Sequence, residues 1–446
     1  MRKNFLKIGT LVALGLPAAV SAQVSYLRPF TDPVGAPSGP TINSVSVYTG
    51  VYSLGSPTNV VGEATSPVSV GTLFLGGATS DVGYYFSGPQ TRAFADYTLA
   101  YSGNSKLSAL NGFDHTLIFG VQTSLAPRVT LIFDGLGESS TFAGVLYEPT
   151  TSLSLAQTSG TADQLGGSPG SALAGTGATT SPIALALYGD RRRDFAGGAR
   201  VVFKKSSRTT FTVGGRFIRD LPASVNPAGV ATSIPYGGVS EAIGAATLAY
   251  SLSRRTEIDG EIDFARSYWP GRGAQTVSGL VGIGHNLSRL WFVRADAGYG
   301  GMTQSPSSLK IPFLGSVVGG GSLGARIEDS SLVISASRMA SDAYGLGAAN
   351  TTTAQLAWAW HRPGSAWTVG ASIAYERLAG TEFALISGWM GQATVSRQLS
   401  RQLTLVAQAN YASDTGVAAG DFASLTRRGA RLTLTWRPRG ELPQSR

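Results

Sequence analysis

Residues 256–264 alternate between apolar and acidic positions, and this pattern limits the folds that the chain can adopt. One set of alternate positions comprises Ile258, Gly260, Ile262 and Phe264. The other set comprises Glu257, Asp259, Glu261 and Asp263. Successive side chains of a β-strand point to opposite faces of its sheet, so a strand here has one apolar face and one face of carboxylates. The acidic face needs water beside it.

The same two-residue period recurs in three further segments, 291–299, 367–376 and 403–411. After residue 22, no stretch approaches the roughly 18 consecutive apolar residues of a membrane-spanning helix. Only a helix or a closed β-barrel pairs all of its backbone polar groups inside a bilayer. A membrane-embedded form of this chain must therefore be a closed β-barrel.

Few charges and many glycines distinguish the chain from an ordinary soluble protein. Charged residues make up 14% of the 446 residues, compared with about 25% in average soluble domains, and 58 residues are glycine. Cysteine is absent, which excludes disulfides, thiolate zinc sites, iron–sulfur clusters and c-type haem attachment. The three histidines offer little for a metal site. We therefore predict no metal and no cofactor.

The first 22 residues have the layout of a secretory signal peptide. An apolar stretch from Ile8 to Leu16 follows the basic residues Arg2, Lys3 and Lys7. The small-residue sequence Val20-Ser21-Ala22 follows as a cleavage site. We predict cleavage after Ala22 and location in the outer membrane of a Gram-negative-type bacterium.

Short turns rich in Ser, Arg and Pro alternate with longer connections rich in Gly, Ser, Thr and Ala. The short turns centre on Ala126-Pro127-Arg128, Ser206-Ser207-Arg208, Leu252-Ser253-Arg254, Leu287-Ser288-Arg289, Asp329-Ser330, Pro363-Gly364-Ser365 and Leu399-Ser400-Arg401. The longer connections are predicted near 140–193, 220–239, 268–274, 301–318, 341–351, 378–389 and 414–428. Outer-membrane barrels have this arrangement, with short turns on the periplasmic side and long loops outside.

Seven hairpins, a strand near 92–103 and a last strand near 429–436 predict an all-β fold of about 16 strands. It is a transmembrane antiparallel up-and-down β-barrel over residues 92–437, followed by a polar C-terminal tail, 438–446. Runs near 44–53, 68–76 and 81–87 are also strand-like, so 18 strands are possible. Residues 23–91 are therefore a periplasmic segment, a plug or two extra strands.

Aromatic residues on the apolar face gather at two heights if odd strands run outward. The outer group is Tyr101, Phe217, Phe264, Tyr299, Tyr375 and Tyr411. The periplasmic group is Phe203, Tyr250, Trp291, Trp358, Trp360, Trp367 and Trp436. Two aromatic girdles at the membrane–water interfaces are typical of transmembrane barrels. The alternative, a β-sandwich core, would need charged outer faces on both sheets and far shorter loops.

Strand parity assigns a set of charged side chains to the inner face. The predicted pore-lining residues are Arg200, Lys204, Arg216, Glu257, Asp259, Glu261, Asp263, Arg294, Asp296 and Glu376. Basic and acidic stripes would then line adjacent parts of one wall. Two interpretations stay open: a polarised wall that orients charged or dipolar solutes, and nearby strands that neutralise each other's charges.

A barrel of about 16 strands is too wide for its own side chains to fill, so it leaves an aqueous channel unless a loop or plug enters. The long connection near 140–193 either folds inward as a constriction or stays at the cell surface. Conduction of solutes is the function that this geometry favours.

Catalysis and nucleic-acid binding find little support in the sequence. His115, His285 and His361 fall in three different hairpins, and no Ser, His and acid group shares one face. The basic residues lie at turns and rims without a helix to carry them into a nucleic-acid groove. We therefore predict no catalytic residue, no enzymatic activity and no nucleic-acid partner.

The segment from Asp96 to Arg128 contains Asp96-Tyr97, Tyr101, Asp114-His115 and a final Ala126-Pro127-Arg128 turn. With the repeated Leu-Ser-Arg turns, it resembles the outer-membrane β-barrel porins found beside exopolysaccharide export loci. The resemblance implies a role in the passage of saccharides or small solutes across the outer membrane, with outer-membrane lipid around the barrel.

The last strand resembles the C-terminal signal by which the barrel-assembly machinery recognises its substrates. Its alternating residues are Leu432, Leu434 and Trp436, after Gly429. The resemblance implies that machinery as a partner.

The leading functional hypothesis is a channel for diffusion of small solutes or saccharides through a charged lumen. The alternatives are a barrel component of an exopolysaccharide export or other envelope complex, and a structural or adhesive surface barrel. The sequence leaves the solute and the oligomeric state open.

Overall fold

A computed structural model describes ten parts of the chain: residues 38–54, 71–105, 111–141, 191–222, 238–269, 272–305, 314–342, 348–380, 385–418 and 421–438. The predicted signal peptide, the central part of the long connection and most of the C-terminal tail lie outside the described residues. Within the described parts, no helix is long and apolar enough to cross a bilayer.

The described residues form eighteen β-strands. Their bounds are β1 Gly39–Leu54, β2 Gly71–Ser87, β3 Thr91–Asn104, β4 Gly112–Ala126, β5 Val129–Thr141, β6 Arg191–Lys204, β7 Thr209–Pro222, β8 Val239–Ser251, β9 Thr256–Trp269, β10 Arg272–His285, β11 Trp291–Ser305, β12 Leu314–Ile327, β13 Ser330–Asp342, β14 Ala348–His361, β15 Trp367–Gly380, β16 Leu385–Gln398, β17 Leu403–Ala418 and β18 Asp421–Trp436.

Each strand pairs antiparallel with its neighbours in sequence, and β1 pairs with β18. In this last ladder Val47 lies opposite Leu434 and Val51 lies opposite Ala430. The sheet is therefore closed and has no free edge, which is what a sheet in lipid requires. The predicted fold class, an antiparallel up-and-down β-barrel, is confirmed.

The strand number is 18, the higher of the two numbers that the sequence allows. The two strands beyond 16 are β1 and β2, which lie between β18 and β3 in the sheet. The strand-like runs near 68–76 and 81–87 belong to one continuous strand, β2, because the ladder to β3 continues through the small residues between them. The first strand of the sheet thus begins at Gly39.

Eight short turns join the strands at one end of the barrel, and the start of β1 and the end of β18 lie at the same end. A shared hydrogen-bond pattern explains the serine that recurs in these turns. The Ser206 hydroxyl accepts hydrogen bonds from the backbone N–H groups of Arg208 and Thr209, both at 3.1 Å. Ser253, Ser288 and Ser400 make the equivalent bonds in their turns. Serine hydroxyls can satisfy the backbone donors of a tight turn in this way.

Some strands extend beyond the bounds predicted from the sequence. The connection predicted near 414–428 is reduced to residues 419 and 420, because the β17–β18 ladder continues to Ala418 opposite Asp421. The connection near 268–274 is reduced to residues 270 and 271 in the same way. The last strand therefore begins at residue 421 rather than near 429. Backbone pairing continues where the apolar alternation ends, since a ladder needs no apolar side chains.

The two faces of the sheet differ in exposure. On β9, Ile262 is 65% exposed and its neighbour Asp263 is 1% exposed. The exposed set of alternate positions is apolar on most strands. The shielded set is mostly small or polar, but it also includes a buried apolar cluster with Leu136, Ile218 and Ile243. Because the described residues contain no second layer outside the sheet, the shielded face is the inner face of the barrel. The exposed apolar face is the surface that a bilayer would cover.

The wall curves at β12, where Gly319, Gly320 and Gly321 follow one another and strands two apart approach each other. Gly319 has a φ of 147°, and a Cβ atom there would collide with the carbonyl oxygen of Asp296 on β11. β10 and β11 consequently approach β13 as well as β12. The bend lies beside the inward charges of β11.

The β1–β18 ladder can be tested with cysteines, because the chain has none of its own. We expect the V47C/L434C variant to form an intramolecular disulfide, since the two residues lie opposite each other in adjacent strands. The measurement is the mobility of the unfolded protein on a gel with and without reductant.

The matched control for this experiment is V47C/L405C. Leu405 lies opposite Leu434 on β17, one strand further from β1, so this pair is too far apart to bridge. Absence of the V47C/L434C crosslink in folded protein would contradict the 18-strand closure.

Candidate functional site

The inner face of β9 carries a row of four carboxylates, Glu257, Asp259, Glu261 and Asp263. All four are buried, with exposures between 1% and 8%. Their backbone neighbours on β10 are small or apolar at the inward positions, where glycine lies opposite both Glu257 and Asp259. Four carboxylates side by side repel one another, so this row needs compensating contacts from outside its own strand.

Arg294 on β11 supplies one such contact across the intervening strand. Its Nη2 atom donates to both carboxylate oxygens of Asp259 at 2.9 Å, and both side chains are almost fully buried. Asp259 lies opposite Gly282 on β10. A Cβ atom at position 282 would lie only 2.8 Å from the Asp259 carboxylate oxygens. Glycine at position 282 therefore gives the carboxylate the space through which it reaches Arg294.

The same arrangement recurs between β5 and β7. Arg216 on β7 lies 3.1 Å from the carboxylate of Asp134 on β5. Both residues lie opposite Gly198 on the strand between them, so the ion pair crosses β6 where that strand has no side chain. In both cases the ion pair joins two strands that are not adjacent. It can do so because the strand between them has glycine at the position opposite the aspartate.

A polar group near the start of β1 follows a related pattern. Asn43 donates to Asp81 on β2 at 3.1 Å and to Asp96 on β3 at 3.2 Å. The Tyr85 hydroxyl also donates to Asp96, at 2.7 Å. Asp96 lies opposite Gly83, and a Cβ atom there would collide with its carboxylate. The sequence did not reveal this group, because β1 had no certain position in the barrel without its ladder to β18.

Two further inward arginines lie on β18 and were missed as pore-lining candidates. Arg427 and Arg431 are buried, with exposures of 3% and 6%. Arg431 donates to Gln408 at 3.1 Å and lies over the Tyr48 ring at 5.3 Å. Arg431 lies within the last strand predicted from the sequence, whereas Arg427 lies before its predicted start near 429. Alternation with the outward Leu432 places both arginines on the inner face.

The structure separates the remaining predicted pore-lining residues by depth. Asp296 is buried on β11, whereas Arg200 and Glu376 are half-buried at inward positions. Lys204 is exposed at the end of β6 beside a short turn. The predicted basic and acidic stripes contact partners on other strands: Arg216 pairs with Asp134, and Asp259 pairs with Arg294. These contacts support the interpretation in which strands of one wall neutralise each other's charges.

All thirteen predicted girdle residues occupy the outward set of positions. Phe217, Phe264 and Tyr375 lie towards the long-connection end, and Trp291 and Trp367 begin their strands at the short-turn end. Trp389 adds an aromatic that the sequence prediction omitted: its ring centroid lies 4.7 Å from that of Tyr375. Their position at the two interfaces of a bilayer stays a prediction.

The histidines have hydroxyl partners in three separate places. Nδ1 of His115 lies 2.7 Å from the Tyr97 hydroxyl on the outward face. The His285 and His361 rings contact Thr256 and Thr368 at 2.8 and 3.1 Å. Within the described ranges, no group of three or more His, Asp or Glu residues is arranged to hold a metal ion.

The Arg294–Asp259 pair leads to a stability prediction. We expect R294M and D259N each to lower the free energy of unfolding by about 3 kcal/mol, because each leaves a buried group without its partner. The D259N/R294M double variant should lose clearly less free energy of unfolding than the sum of the two single losses. Urea unfolding in detergent, followed by tryptophan fluorescence, measures all four proteins.

Additive losses in that cycle would show that the two side chains do not interact. Glycine variants provide an independent check on the same contact. G282V should destabilise the barrel because it displaces the Asp259 carboxylate. G279V should be tolerated, since a Cβ atom at position 279 would lie 4.0 Å from the carbonyl oxygen of Glu261, an ordinary van der Waals distance.

Comparison with known proteins yields similarity at the level of architecture. No family model matches the sequence, and no curated protein matches it. Among solved structures, the chain is similar to Pseudomonas aeruginosa OpdO, with a TM-score of 0.45 and 10% identity over 89% of this chain and 97% of that one. The structure of P. aeruginosa OccK2 (OpdF) in complex with glucuronate gives a TM-score of 0.43 and 10% identity, over 89% of this chain and 98% of that one.

A BenF-like porin from Pseudomonas fluorescens Pf-5 also gives a TM-score of 0.43 and 10% identity, over 89% and 98% of the two chains. At these values no solute or mechanism follows from the likeness. The function of this chain is therefore derived from its own residues.

Proposed function

We propose that this protein is an outer-membrane channel through which small solutes, including saccharides, diffuse. The observation that carries the proposal is the closed 18-strand sheet with an exposed apolar outer face and a charged inner face. A sheet of this kind separates lipid from water, and its charges need water or partners inside. Barrels of this size leave an aqueous passage that their own side chains do not fill.

The inner face carries an excess of negative charge among the described side chains. Its buried or half-buried carboxylates are Asp81, Asp96, Asp114, Asp134, Glu138, Asp194, Glu241, Glu257, Asp259, Glu261, Asp263, Asp296 and Glu376. Its buried or half-buried basic residues are Arg200, Arg216, Arg294, Arg326, Arg427 and Arg431. Rings and stripes of carboxylates favour cations in a channel, so the lumen favours cations over anions.

One part of the wall is polar but nearly uncharged. On β13 to β17, Glu376 is the only inward residue with a formal charge among the side chains that the structure describes. Hydroxyl and amide groups dominate there, including Ser337, Thr353, Gln392, Thr394, Ser396, Gln408 and Asn410. These groups can exchange hydrogen bonds with the hydroxyls of a passing saccharide. The resemblance of the Asp96–Arg128 segment to porins beside exopolysaccharide loci agrees with that solute class.

The route to the membrane is part of the same proposal. A signal peptide cleaved after Ala22 directs the chain through the inner membrane. The outward residues Leu432, Leu434 and Trp436 of β18 then form the signal for the barrel-assembly machinery. We expect no enzymatic activity. The residues of the inner wall act by binding and orienting solutes.

The direct test is conductance. Purified mature protein in a planar phospholipid bilayer should give stepwise current increases, and the current should prefer K⁺ over Cl⁻ in a salt gradient. A protein that inserts but stays silent would contradict the channel and favour a barrel component of an export complex.

The acidic row can be tested by its effect on ion selectivity. We expect the E257Q/D259N/E261Q/D263N variant to shift the reversal potential towards anions, because it removes four negative charges from one wall. The matched control is E328Q/D329N, which neutralises carboxylates in a short turn outside the strands. An unchanged reversal potential in the first variant, with intact conductance, would show that the row does not influence the permeation path.

A further inference from the structure

The outward face carries exposed arginines towards the long-connection end of the barrel. They are Arg193, Arg219, Arg266, Arg338, Arg377 and Arg428, on β6, β7, β9, β13, β15 and β18. We call this set the arginine belt. Every described carboxylate side chain within the strands occupies an inward position, so the protein offers no described strand carboxylate on the face where the belt lies.

Three of the six belt arginines follow an outer aromatic residue at a fixed spacing. Phe217 precedes Arg219 by two residues, and the same spacing separates Phe264 from Arg266 and Tyr375 from Arg377. Residues two apart share one face, and each rise along a strand is about 3.3 Å. These three arginines therefore lie about 7 Å further along their strands than the aromatic residues. Arg428 lies opposite Tyr411. If the rings mark the membrane interface, the guanidinium groups lie at the level of lipid headgroups.

The strand register joins two of the arginines into a row of polar side chains. Arg338 lies opposite Thr352, and Thr352 lies opposite Arg377. Arg377 in turn lies opposite Ser387, which lies opposite Thr415. Because neighbouring strands are about 4.8 Å apart, the Cα atoms of Arg338 and Arg377 are roughly 10 Å apart, with a hydroxyl between them. Two long guanidinium side chains can reach one group above that hydroxyl.

We propose that the arginine belt binds the phosphate groups of a phosphorylated glycolipid in the outer leaflet, with Arg338, Thr352 and Arg377 as its main contact. Guanidinium groups recognise phosphate through paired, charge-assisted hydrogen bonds. The hydroxyls of Thr352, Ser387 and Thr415 are suited to the sugar hydroxyls beside the phosphate. A headgroup that combines phosphate and sugar matches this row better than a phosphate on a plain glycerol backbone. The inference rests on the outer-membrane placement proposed above.

The test is native mass spectrometry of the folded mature protein in detergent, titrated with bisphosphorylated lipid A. We expect preferential binding of lipid A over its dephosphorylated form, over phosphatidylglycerol and over inorganic phosphate. The R338Q/R377Q variant should weaken lipid A binding by at least about tenfold, the effect of losing roughly one charge-assisted hydrogen bond. Heat-modified gel mobility confirms that each variant is folded.

The matched control is R254Q/R401Q, which removes the same charge from exposed short turns at the other end of the barrel. It should bind lipid A as the unmodified protein does. Equal binding of dephosphorylated lipid A, equal binding of phosphatidylglycerol, or an equal loss in the control would each overturn the proposal.

Conductance separates this proposal from the channel function. In a phospholipid bilayer without glycolipid, R338Q/R377Q should conduct like the unmodified protein. Conduction without a preference for lipid A would refute glycolipid binding by the arginine belt and leave the channel proposal intact. A preference for lipid A without conduction would refute the channel proposal and leave glycolipid binding intact.

Discussion

The pairing of β1 with β18 is the constraint on which the rest of this structure depends. Inside a bilayer a free sheet edge would leave a row of backbone donors and acceptors without partners, at a cost of several kcal/mol for each group. Closing the sheet removes both edges at once. Closure also keeps matching faces of β1 and β18 on the same side of the sheet, because a register shift of one residue would turn every side chain of a strand to the other face. The ladder therefore continues, across the join, the separation of apolar and charged faces that each strand's own alternation sets up.

Glycine has a specific role inside this closed wall. At Gly198 and Gly282 the middle strand of three offers no side chain, and an ion pair crosses the gap from one flanking strand to the other. Such pairs hold their charges in fixed positions and stiffen three strands at a time. A wall whose charges are held in place presents a steady field to passing ions, so wall stability and the proposed selectivity depend on the same contacts. The two interpretations of the lumen charges are thus compatible.

The distribution of charge between the faces gives the barrel two distinct surfaces. The described carboxylate side chains of the strands point inward, and the described outward charges towards the long-connection end are arginines. One surface suits cations and polar solutes in the proposed channel. The other suits the phosphates of the proposed outer-leaflet glycolipid. The chain is basic as a whole, with a net charge of +9, although the described side chains of its inner face include more carboxylates than basic groups. Net charge alone therefore describes neither surface.

The sequence by itself determined the class of fold and the face of most strand residues. The two-residue period at 256–264 is a local property, and alternation along one strand separates its two faces without knowledge of any other strand. The short turns rich in Ser, Arg and Pro located seven hairpins for a similar reason, since turn chemistry depends on residues within a few positions of each other.

Tertiary structure decided what depends on contacts between distant strands. Such contacts set the positions of β1 and β2 in the sheet. They also pair Asp259 with Arg294 on β11, and Arg216 with Asp134 on β5. The sequence showed an acidic row and several arginines, but pairing across a strand depends on the register of three strands and on a glycine in the middle one. That register depends on the connections and ladders on both sides of the middle strand, so the pattern along any one strand could not reveal it.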